Sequence, residues 1–384
     1  MSSPSAPALI VRLPNWVGDV IMSLPALNQL QAAGFTLKLV GKRWAGPLLA
    51  GQGWVPAPLP SGTGARIRLL RDLRRDAPPV TSPRRRPDAL LLTNSFSSAL
   101  EARLAGLRPL GYRQDGRGWL LNRAIEPPSG GHESERFMRL ARALLAARAD
   151  LGSAPAGLGR SASTIAAADP TGSSGSAAAD DADETEEVDK ADEADSSGGS
   201  ARPRLTVAPA AHDAAEALLG RCLGQGQGAH PGSLPGQALP RFACLVPFAT
   251  GTLKGANKAW PAFPAFAAEL ARRMPVVVVP GPAEVAQARE HYPACRRLED
   301  VDLGVYAALL ARAAVVIAND TGPAHVAAAV GAPLVSVLGP TDASRYRPLG
   351  PDVTLVQASP WPTLAEVRSA VERCLDRRPA IERS

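Results

Sequence analysis

Residues 315–325 read Val-Val-Ile-Ala-Asn-Asp-Thr-Gly-Pro-Ala-His, and this stretch predicts the fold of the chain. The apolar run Ala313–Ala318 is typical of a buried parallel strand. Asp320 and Thr321 are residue types that cap the first turn of a helix, and Pro323 suits a first helical position. The stretch therefore brings a carboxylate, a hydroxyl and a histidine to a strand–helix junction, where open α/β sheets bind ligands and where helix ends favour phosphate.

The same alternation of strands and helices runs through most of the chain. Gly331 is placed to end the helix, and Pro333–Leu338 follows as a further apolar strand. The other predicted strands are Ala8–Arg12, Thr36–Val40, Ala89–Leu92, Phe242–Val246 and Pro275–Val279. The predicted helices are Val20–Ala33, one that starts near Ser97, Pro261–Arg273, Ala283–Glu290, Leu303–Ala311 and Leu364–Leu375. This pattern predicts an α/β protein with two doubly wound parallel sheets facing a cleft.

An acidic segment separates the two α/β regions. Residues 151–203 contain 11 acidic and 3 basic residues, a net charge of −8. The segment is rich in Ala, Ser and Gly and cannot bury enough apolar surface to offset the entropy lost on ordering, so we expect a disordered insert. The predicted domains are therefore 1–150 and 204–384, with 151–203 as the insert.

The remainder of the chain is strongly basic. It carries +14, because the whole chain carries +6 and the insert −8. Eight arginines lie between Arg66 and Arg86. Such density can attract anionic lipid head groups, phosphosugars or nucleic acid, but it also fits a solvated helix face and loop.

Composition limits where the protein works. The sequence has no apolar run of the roughly 20 residues that span a bilayer, and Met1–Pro7 has no secretory signal. The four cysteines lie far apart without a CxxC pair, which favours free thiols over a zinc site. We therefore expect a protein of the reducing cytoplasm.

A short polar segment, Asn15-Trp-Val-Gly-Asp19, follows the first predicted strand. It lacks the Gly-x-Gly-x-x-Gly spacing of a dinucleotide site. Gly18 can let a ligand approach the backbone, and the carboxylate of Asp19 can accept a proton from an attacking hydroxyl. The alternative is that Asp19 only caps the next helix or complements its dipole.

The loop after strand Phe242–Val246 is rich in groups that bind phosphate. Lys254 and Lys258 lie close to the hydroxyls of Thr250 and Thr252, before a predicted helix. Ammonium groups, hydroxyls and helix-start amides suit a diphosphate, although the spacing is not that of a Walker motif. The alternative is a solvated loop with surface lysines.

Two further residues carry a candidate binding role. Glu284 follows Val276–Val279 and can accept hydrogen bonds from ribose hydroxyls, or it can be an ordinary first-turn glutamate. His325 can contact a ligand or be satisfied within the core, and either role suits it better than metal binding, because no second histidine is near.

Taken together, these segments resemble glycosyltransferase family 9, the ADP-heptose:lipopolysaccharide heptosyltransferases. The Trp-Val-Gly-Asp and Asn-Ser-Phe-x-Ser-Ala-Leu forms are more similar to the second heptosyltransferases of the family than to the first. The matching pieces are Asn15–Asp19 with its helix to Leu27, Asn94–Leu100, Gly111–Asn122, Lys258–Pro261, Asn319–His325 and Gly339–Thr341.

The resemblance implies a GT-B fold, two Rossmann-like domains with the nucleotide sugar held by the C-terminal one. It implies inverting, metal-independent transfer of heptose from ADP-heptose to the inner core on lipid A, without a cofactor. Asp19 matches the general base, Lys258 the lysine on the diphosphate, and Glu284 the acid near the ribose. The turn that holds heptose and phosphates is matched by Asp320, Thr321, Gly322 and His325. The acceptor side is matched by Asn15, Trp16, Gly18, Asn94 and Ser95.

The resemblance also sets the expected partners. We expect a monomer, peripheral on the anionic inner-membrane surface, with no nucleic-acid partner, because no basic motif is interleaved with aromatics. The Pro247–Lys258 loop is longer than the family's, so either Lys254 or Lys258 can meet the diphosphate, and the insert is foreign to the family. The alternatives are another nucleotide-sugar donor or acceptor, or a non-catalytic nucleotide- or lipid-binding protein of the same fold.

Overall fold

The amino-terminal part of the chain forms a parallel sheet of six short strands. They are β1 (Ala8–Arg12), β2 (Thr36–Gly41), β3 (Ala57–Pro58), β4 (Ala89–Leu91), β5 (Pro109–Tyr112) and β6 (Arg123–Ile125). Their order is β3-β2-β1-β4-β5-β6, so the winding reverses between β1 and β4. At such a switch point the loops after the two central strands separate and leave a crevice for a ligand.

Helices cover both faces of this sheet. They are α1 (Val17–Ala32), α2 (Ala45–Leu49), α3 (Thr63–Arg75), α4 (Phe96–Leu104) and α5 (Glu133–Ala149). Alternate residues of β1 point to opposite faces: Leu9 and Val11 belong to the core that includes α1 and α5, and Ile10 to the core that includes α3 and α4. The strand is therefore apolar throughout, as expected of a parallel strand buried on both sides.

The carboxy-terminal part repeats this plan. Its strands are β7 (Ala243–Val246), β8 (Thr252–Leu253), β9 (Ala256–Asn257), β10 (Val276–Val278), β11 (Arg296–Arg297), β12 (Val315–Asn319), β13 (Leu334–Leu338) and β14 (Val353–Gln357). The helices are α6 (Pro209–Leu223), α7 (Phe263–Leu270), α8 (Val285–His291), α9 (Leu303–Arg312), α10 (Gly322–Ala329), α11 (Ala343–Tyr346) and α12 (Leu364–Asp376). The parallel sheet has the order β11-β10-β7-β12-β13-β14, with its switch point between β7 and β12, and β8 and β9 form a small antiparallel hairpin.

The computed structural model describes residues 7–76, 86–149, 202–224, 239–249, 252–253, 256–257 and 259–377. Residues 151–201 of the predicted insert lie outside these ranges, so the insert and the domain boundaries stay predictions. Within these ranges, every helix is too short or too polar to cross a bilayer. The four cysteines are free thiols, as predicted, and Cys244, Cys295 and Cys374 are buried.

The strand, helix and strand around the opening stretch are confirmed, including Gly331, which ends α10 with a positive φ of 75°. The predicted start of α1 is wrong by three residues. The helix begins at Val17 and not at Val20, because Trp16 is extended and its carbonyl oxygen accepts the Val20 N–H at 3.1 Å. Gly18 and Asp19 therefore lie in the first helical turn.

The two domains meet through α1 and α10. A Cβ atom added to Gly18 would lie 2.9 Å from Cδ2 of His325, and one added to Gly322 would lie 2.8 Å from Cβ of Val17. The two helix starts are therefore in direct contact. Apolar residues of both domains form one continuous core around this contact.

Candidate functional site

The loop after β1 places Asp19 at the contact between the domains. Arg12 is buried and donates hydrogen bonds to the Leu13 carbonyl oxygen (2.6 Å) and to Oδ1 of Asn15 (2.8 Å). Asn15 therefore stabilises the loop, although the residue is exposed. Asp19 follows Gly18 in α1, with its side chain half-buried.

The environment of Asp19 argues against a capping role. The cap residue of α1 is Trp16, which makes no side-chain cap hydrogen bond. A carboxylate that binds helix-start amides has a lowered pKa. Burial, reinforced by the charge of Glu133, instead raises the pKa of Asp19 to about 6. Its carboxylate is therefore close to the ideal strength for a base near neutral pH.

A buried arginine holds the loop after β4. Arg117 is fully buried and donates to the carbonyl oxygens of Tyr112 (2.9 Å) and Thr93 (2.6 Å), with a longer contact of 3.4 Å to Oδ1 of Asn94. Burial lowers its pKa to about 10, so it stays charged at neutral pH. Ser95 caps α4 by accepting the Ser98 N–H at 3.4 Å. Both predicted acceptor-side residues, Asn94 and Ser95, thus have structural roles at the switch point.

On the opposite side of the cleft, Asn319 holds the two loops of the second switch point. Its Oδ1 accepts the Trp260 N–H at 3.0 Å, and its Nδ2 donates to the Pro247 carbonyl oxygen at 2.7 Å. Asp320 follows, and its Oδ2 accepts the Thr341 hydroxyl at 3.0 Å. The turns after β12 and β13, both predicted as site segments, are therefore joined.

The start of α10 offers one backbone donor to an anion. Thr321 is the cap residue, and its side chain makes no cap hydrogen bond. Pro323 has no N–H, and the Ala324 N–H donates to the Thr321 carbonyl oxygen at 3.1 Å, which leaves the Gly322 N–H as the candidate donor at a helix end that favours phosphate. His325 is only 5% exposed and packs against Gly18, which gives it a supporting role at the domain contact. A direct donor contact by His325 stays a prediction.

The other predicted donor residues are only partly placed. Glu284 is the cap residue of α8, and its Oε2 accepts the Gly281 N–H at 2.8 Å, so it has a local role in its turn. Thr250, Lys254 and Lys258 lie outside the described residues, and Thr252 is placed on β8 by its backbone alone. The β8–β9 hairpin lies within this loop.

Sequence reasoning missed a charged group beside Asp19. Glu133, at the start of α5, pairs with Arg136 of the same helix at 3.3 Å and with Arg345 of the other domain at 3.4 Å. The pKa of Tyr346 is raised, mainly by burial. The charge of Arg345 opposes this rise, and the charges of Glu133 and Asp19 add to it. No sequence motif marks these residues, because they meet only through tertiary packing.

Three exposed aromatic rings lie at the cleft edge of the first sheet. Trp16 is 68% exposed, Trp119 73% and Phe96 40%. They follow β1, β5 and β4, which are neighbours in the sheet, so the rings share one edge. The centroids of Phe96 and Trp119 are 6.1 Å apart. In the described ranges, no group of three or more His, Cys, Asp or Glu side chains is arranged to hold a metal ion.

Three solved glycosyltransferase structures share this architecture. Escherichia coli ADP-heptose lps heptosyltransferase II is 22% identical, with a TM-score of 0.66 over 96% of this chain and 99% of that chain. A family 9 glycosyl transferase from Veillonella parvula is 13% identical, with a TM-score of 0.68 over 98% of this chain and 99% of that chain. E. coli heptosyltransferase WaaC with ADP is 18% identical, with a TM-score of 0.60 over 96% and 99%. The fold is therefore GT-B-like.

The carboxy-terminal half matches a known family. Residues 237–374, which include the whole second sheet, match the model of glycosyltransferase family 9 (heptosyltransferase). This domain is therefore similar to the corresponding domain of the family 9 heptosyltransferases. A comparison with curated proteins finds no match.

Replacing Asp19 by Asn is expected to stabilise the fold at neutral pH. The raised pKa means that the folded protein binds the Asp19 proton more tightly than the unfolded chain does, so stability falls as pH rises from 3.8 to about 6 and stays low above it. Asp19→Asn should therefore raise the free energy of unfolding by roughly 1–3 kcal/mol at about pH 8 and by almost nothing below about pH 4. Urea denaturation at both pH values measures this. Asp213→Asn, an exposed control on α6, should change neither value.

Proposed function

We propose that this protein transfers heptose from ADP-heptose to the inner core of lipopolysaccharide on lipid A, with Asp19 as the general base. One observation carries the proposal: α1 and α10 touch at Gly18 and His325, which brings the Asp19 turn beside the start of α10. A proton acceptor and an anion site thus face the same cleft. The ADP in the solved WaaC structure, and ADP-2-deoxy-2-fluoro heptose in another, support the nucleotide part of this donor.

In the proposed reaction, the Asp19 carboxylate removes the proton of an acceptor hydroxyl as its oxygen attacks the anomeric carbon of the heptose. The new glycosidic C–O bond forms while the bond to the diphosphate breaks, and ADP leaves with the bonding electrons. Inversion at the anomeric carbon follows from attack opposite the leaving group. With a pKa of about 6, Asp19 is mostly ionised at neutral pH and can act as a base.

The leaving diphosphate needs its growing negative charge offset. The Gly322 N–H and the positive end of the α10 dipole form one set of groups that offset it. We propose Lys258 or Lys254, with the hydroxyls of Thr250 and Thr252, as the second set, because they belong to the loop after β7 at the same switch point. Asp320 and His325 would orient the heptose, and Glu284, at the end of β10, would accept hydrogen bonds from the ribose.

The direct test is product analysis with ADP-heptose and two truncated acceptors, one with and one without a first heptose. ADP should appear only with an acceptor, and Asp19→Asn should lower kcat by about 10²–10⁴-fold while ADP still binds. Asp213→Asn serves as the control for a lost surface carboxylate. Near-normal turnover in folded Asp19→Asn would exclude its role as base, and no ADP release with either acceptor would favour another nucleotide sugar or a binding function.

The acceptor side of the proposal rests on the exposed rings. Trp119 and Phe96 stand beside the loop that Arg117 holds, and Trp16 begins the helix of Asp19. Sugar rings present apolar C–H faces that pack on aromatic rings. An acceptor bound at this edge would lie next to Asp19. We therefore propose that the floor of the acceptor site consists of Asn15, Trp16, Gly18, Asn94 and Ser95.

Trp119→Ala should therefore raise the KM for the acceptor by about fivefold, since an aromatic contact of this kind contributes about 1 kcal/mol. The Kd for ADP should not change, because the donor lies in the other domain. Leu104→Ala removes an exposed apolar side chain, 50% exposed, at the opposite edge of the sheet and is the matched control. An equal effect of both changes on acceptor KM would contradict the assignment.

The arginines of α3 are the part of the basic region that the structure places. Arg66 pairs with Glu101 at 3.2 Å, whereas Arg71, Arg74 and Arg75 line a groove of about 560 Å³ with residues 104–106. Helices that link parallel strands run back along the sheet, so this groove lies at the edge opposite the cleft. Arg84 and Arg85 lie outside the described residues. We propose the anionic inner-membrane surface as the partner of this groove.

The variant Arg71→Gln/Arg74→Gln/Arg75→Gln should bind anionic liposomes more weakly at low salt, because each cation near such a surface contributes about 1 kcal/mol. The difference should fade as salt screens the charges. Cosedimentation with vesicles of anionic and neutral lipid measures it. Arg272→Gln/Arg273→Gln/Arg289→Gln removes the same charge from the exposed surface of the other domain and is the control. Equal loss of liposome binding in both variants would mean that net charge alone causes the effect and would contradict a specific role of this groove.

A further inference from the structure

The start of α5 in the first domain touches the segment around α11 in the second. Nε2 of His132 lies 2.9 Å from the Arg347 carbonyl oxygen. Nδ1 of His132 accepts the Ser134 N–H at 3.1 Å, so the hydrogen-bond pattern assigns the proton to Nε2, which donates to Arg347. Burial lowers the pKa of His132, which keeps the ring neutral. This hydrogen bond joins the domains directly beside Glu133.

Glu133 is held by groups from both domains. Its carboxylate lies 3.3 Å from Nε of Arg136 and 3.4 Å from Nε of Arg345, and its side chain is only 13% exposed. Ser134, the next residue, donates from its hydroxyl to the Met22 carbonyl oxygen of α1 at 3.0 Å. Glu133 is therefore fixed relative to the helix that carries Asp19.

We propose that the ion pair between Glu133 and Arg345, one residue from each domain, positions and tunes Asp19 as a base. The inference rests on the proposed function of Asp19. Neither residue touches the reacting atoms, so both act through Asp19 as positioning residues.

The physical reason is the balance of charge on Glu133. A carboxylate near Asp19 disfavours ionisation of Asp19, and a cation on that carboxylate offsets the effect. Arg345 supplies part of this offset from the other domain. The strength of Asp19 as a base therefore depends on a side chain that the second domain contributes.

Every charged or titratable group near Asp19 can contribute to the pH dependence of kcat. Arg136 and Glu133 both belong to α5, so their ion pair remains whether or not Arg345 is present. Tyr346 has a raised pKa and is neutral when Asp19 titrates. The groups that face this region are Glu133, Arg136 and His132 from the α5 side, Arg345 and Tyr346 from α11, and His325 from α10.

Two variants that break the same ion pair should move the pH profile in opposite directions. Arg345→Met leaves Glu133 less compensated, so the acidic limb of kcat should shift to higher pH, by about half a unit or more. Glu133→Gln removes the repelling charge, so the limb should shift to lower pH by a similar amount. Arg345→Lys keeps the charge and should restore most of the normal profile.

A purely structural contact would behave differently, because the loss of either partner would then lower kcat without opposite shifts. Glu135→Gln is the matched control, since Glu135 lies on the same helix and pairs with Arg142 at the surface. Shifts in the same direction, or no shifts in the two test variants, would overturn the inference.

A readout without substrate separates this inference from the proposed function. The ¹³C chemical shift of the Asp19 carboxyl, assigned by its loss in Asp19→Asn, reports the pKa of Asp19 in each variant whether or not ADP-heptose is the donor. Opposite pKa changes in Glu133→Gln and Arg345→Met would support the tuning even if heptose transfer failed. Unchanged pKa values in an active enzyme would reject the tuning and leave the transferase proposal intact.

Discussion

The close contact between the starts of α1 and α10 is the constraint on which the site depends. Gly18 lies against the His325 ring, and Gly322 lies against Val17, with no room for a Cβ atom at either glycine. Neither glycine is needed for an unusual backbone angle; each is needed because a helix from the other domain occupies its side-chain space. The contact fixes the distance between the domains at the point where Asp19 and the turn before α10 face each other.

Each domain stabilises its loops at the switch point with a buried polar side chain. Arg117 donates hydrogen bonds to carbonyl oxygens near the ends of β4 and β5, and hydrogen bonds of Asn319 join the loops after β7 and β12. A buried polar group is costly unless its hydrogen bonds are made, so these side chains leave the loops with essentially one conformation. The loops can then present Trp119, Asp320 and their neighbours without regular secondary structure of their own.

The sequence alone predicts those parts of the molecule in which local pattern and tertiary structure agree. The segment from β12 to β13 is correct because its apolar runs, capping residues and terminating glycine all depend on near neighbours. The start of α1 was misplaced because Asn15–Asp19 has turn composition, whereas packing against His325 extends the helix through Gly18. The helices α3, α5 and α6 were not predicted.

The residues of the candidate site also fall into two groups: those that the local sequence identifies and those that only tertiary packing brings together. Asp320 could be chosen from the sequence because it directly follows β12, and Asp19 because it ends the polar segment after β1. Arg117 was not chosen, since its role depends on the carbonyl oxygens of Tyr112 and Thr93, which only the folded structure brings to its side chain. Glu133 and Arg345 lie far apart along the chain in different domains, so only the folded structure brings them together. Glu284 shows the opposite case, because its position fits a ligand role and its hydrogen bond fits a local one.

The chemistry of Asp19 results from two opposing effects. A carboxylate in the first turn of a helix gains about 0.3–1 kcal/mol from the helix dipole, which favours ionisation. Burial and the nearby Glu133 disfavour ionisation more strongly, and together they raise the pKa of Asp19 to about 6. A carboxylate with an ordinary pKa would be ionised more fully but would hold a proton poorly. The fold thus accepts an unfavourable buried charge in this cleft, and it gains a base whose strength is matched to neutral pH.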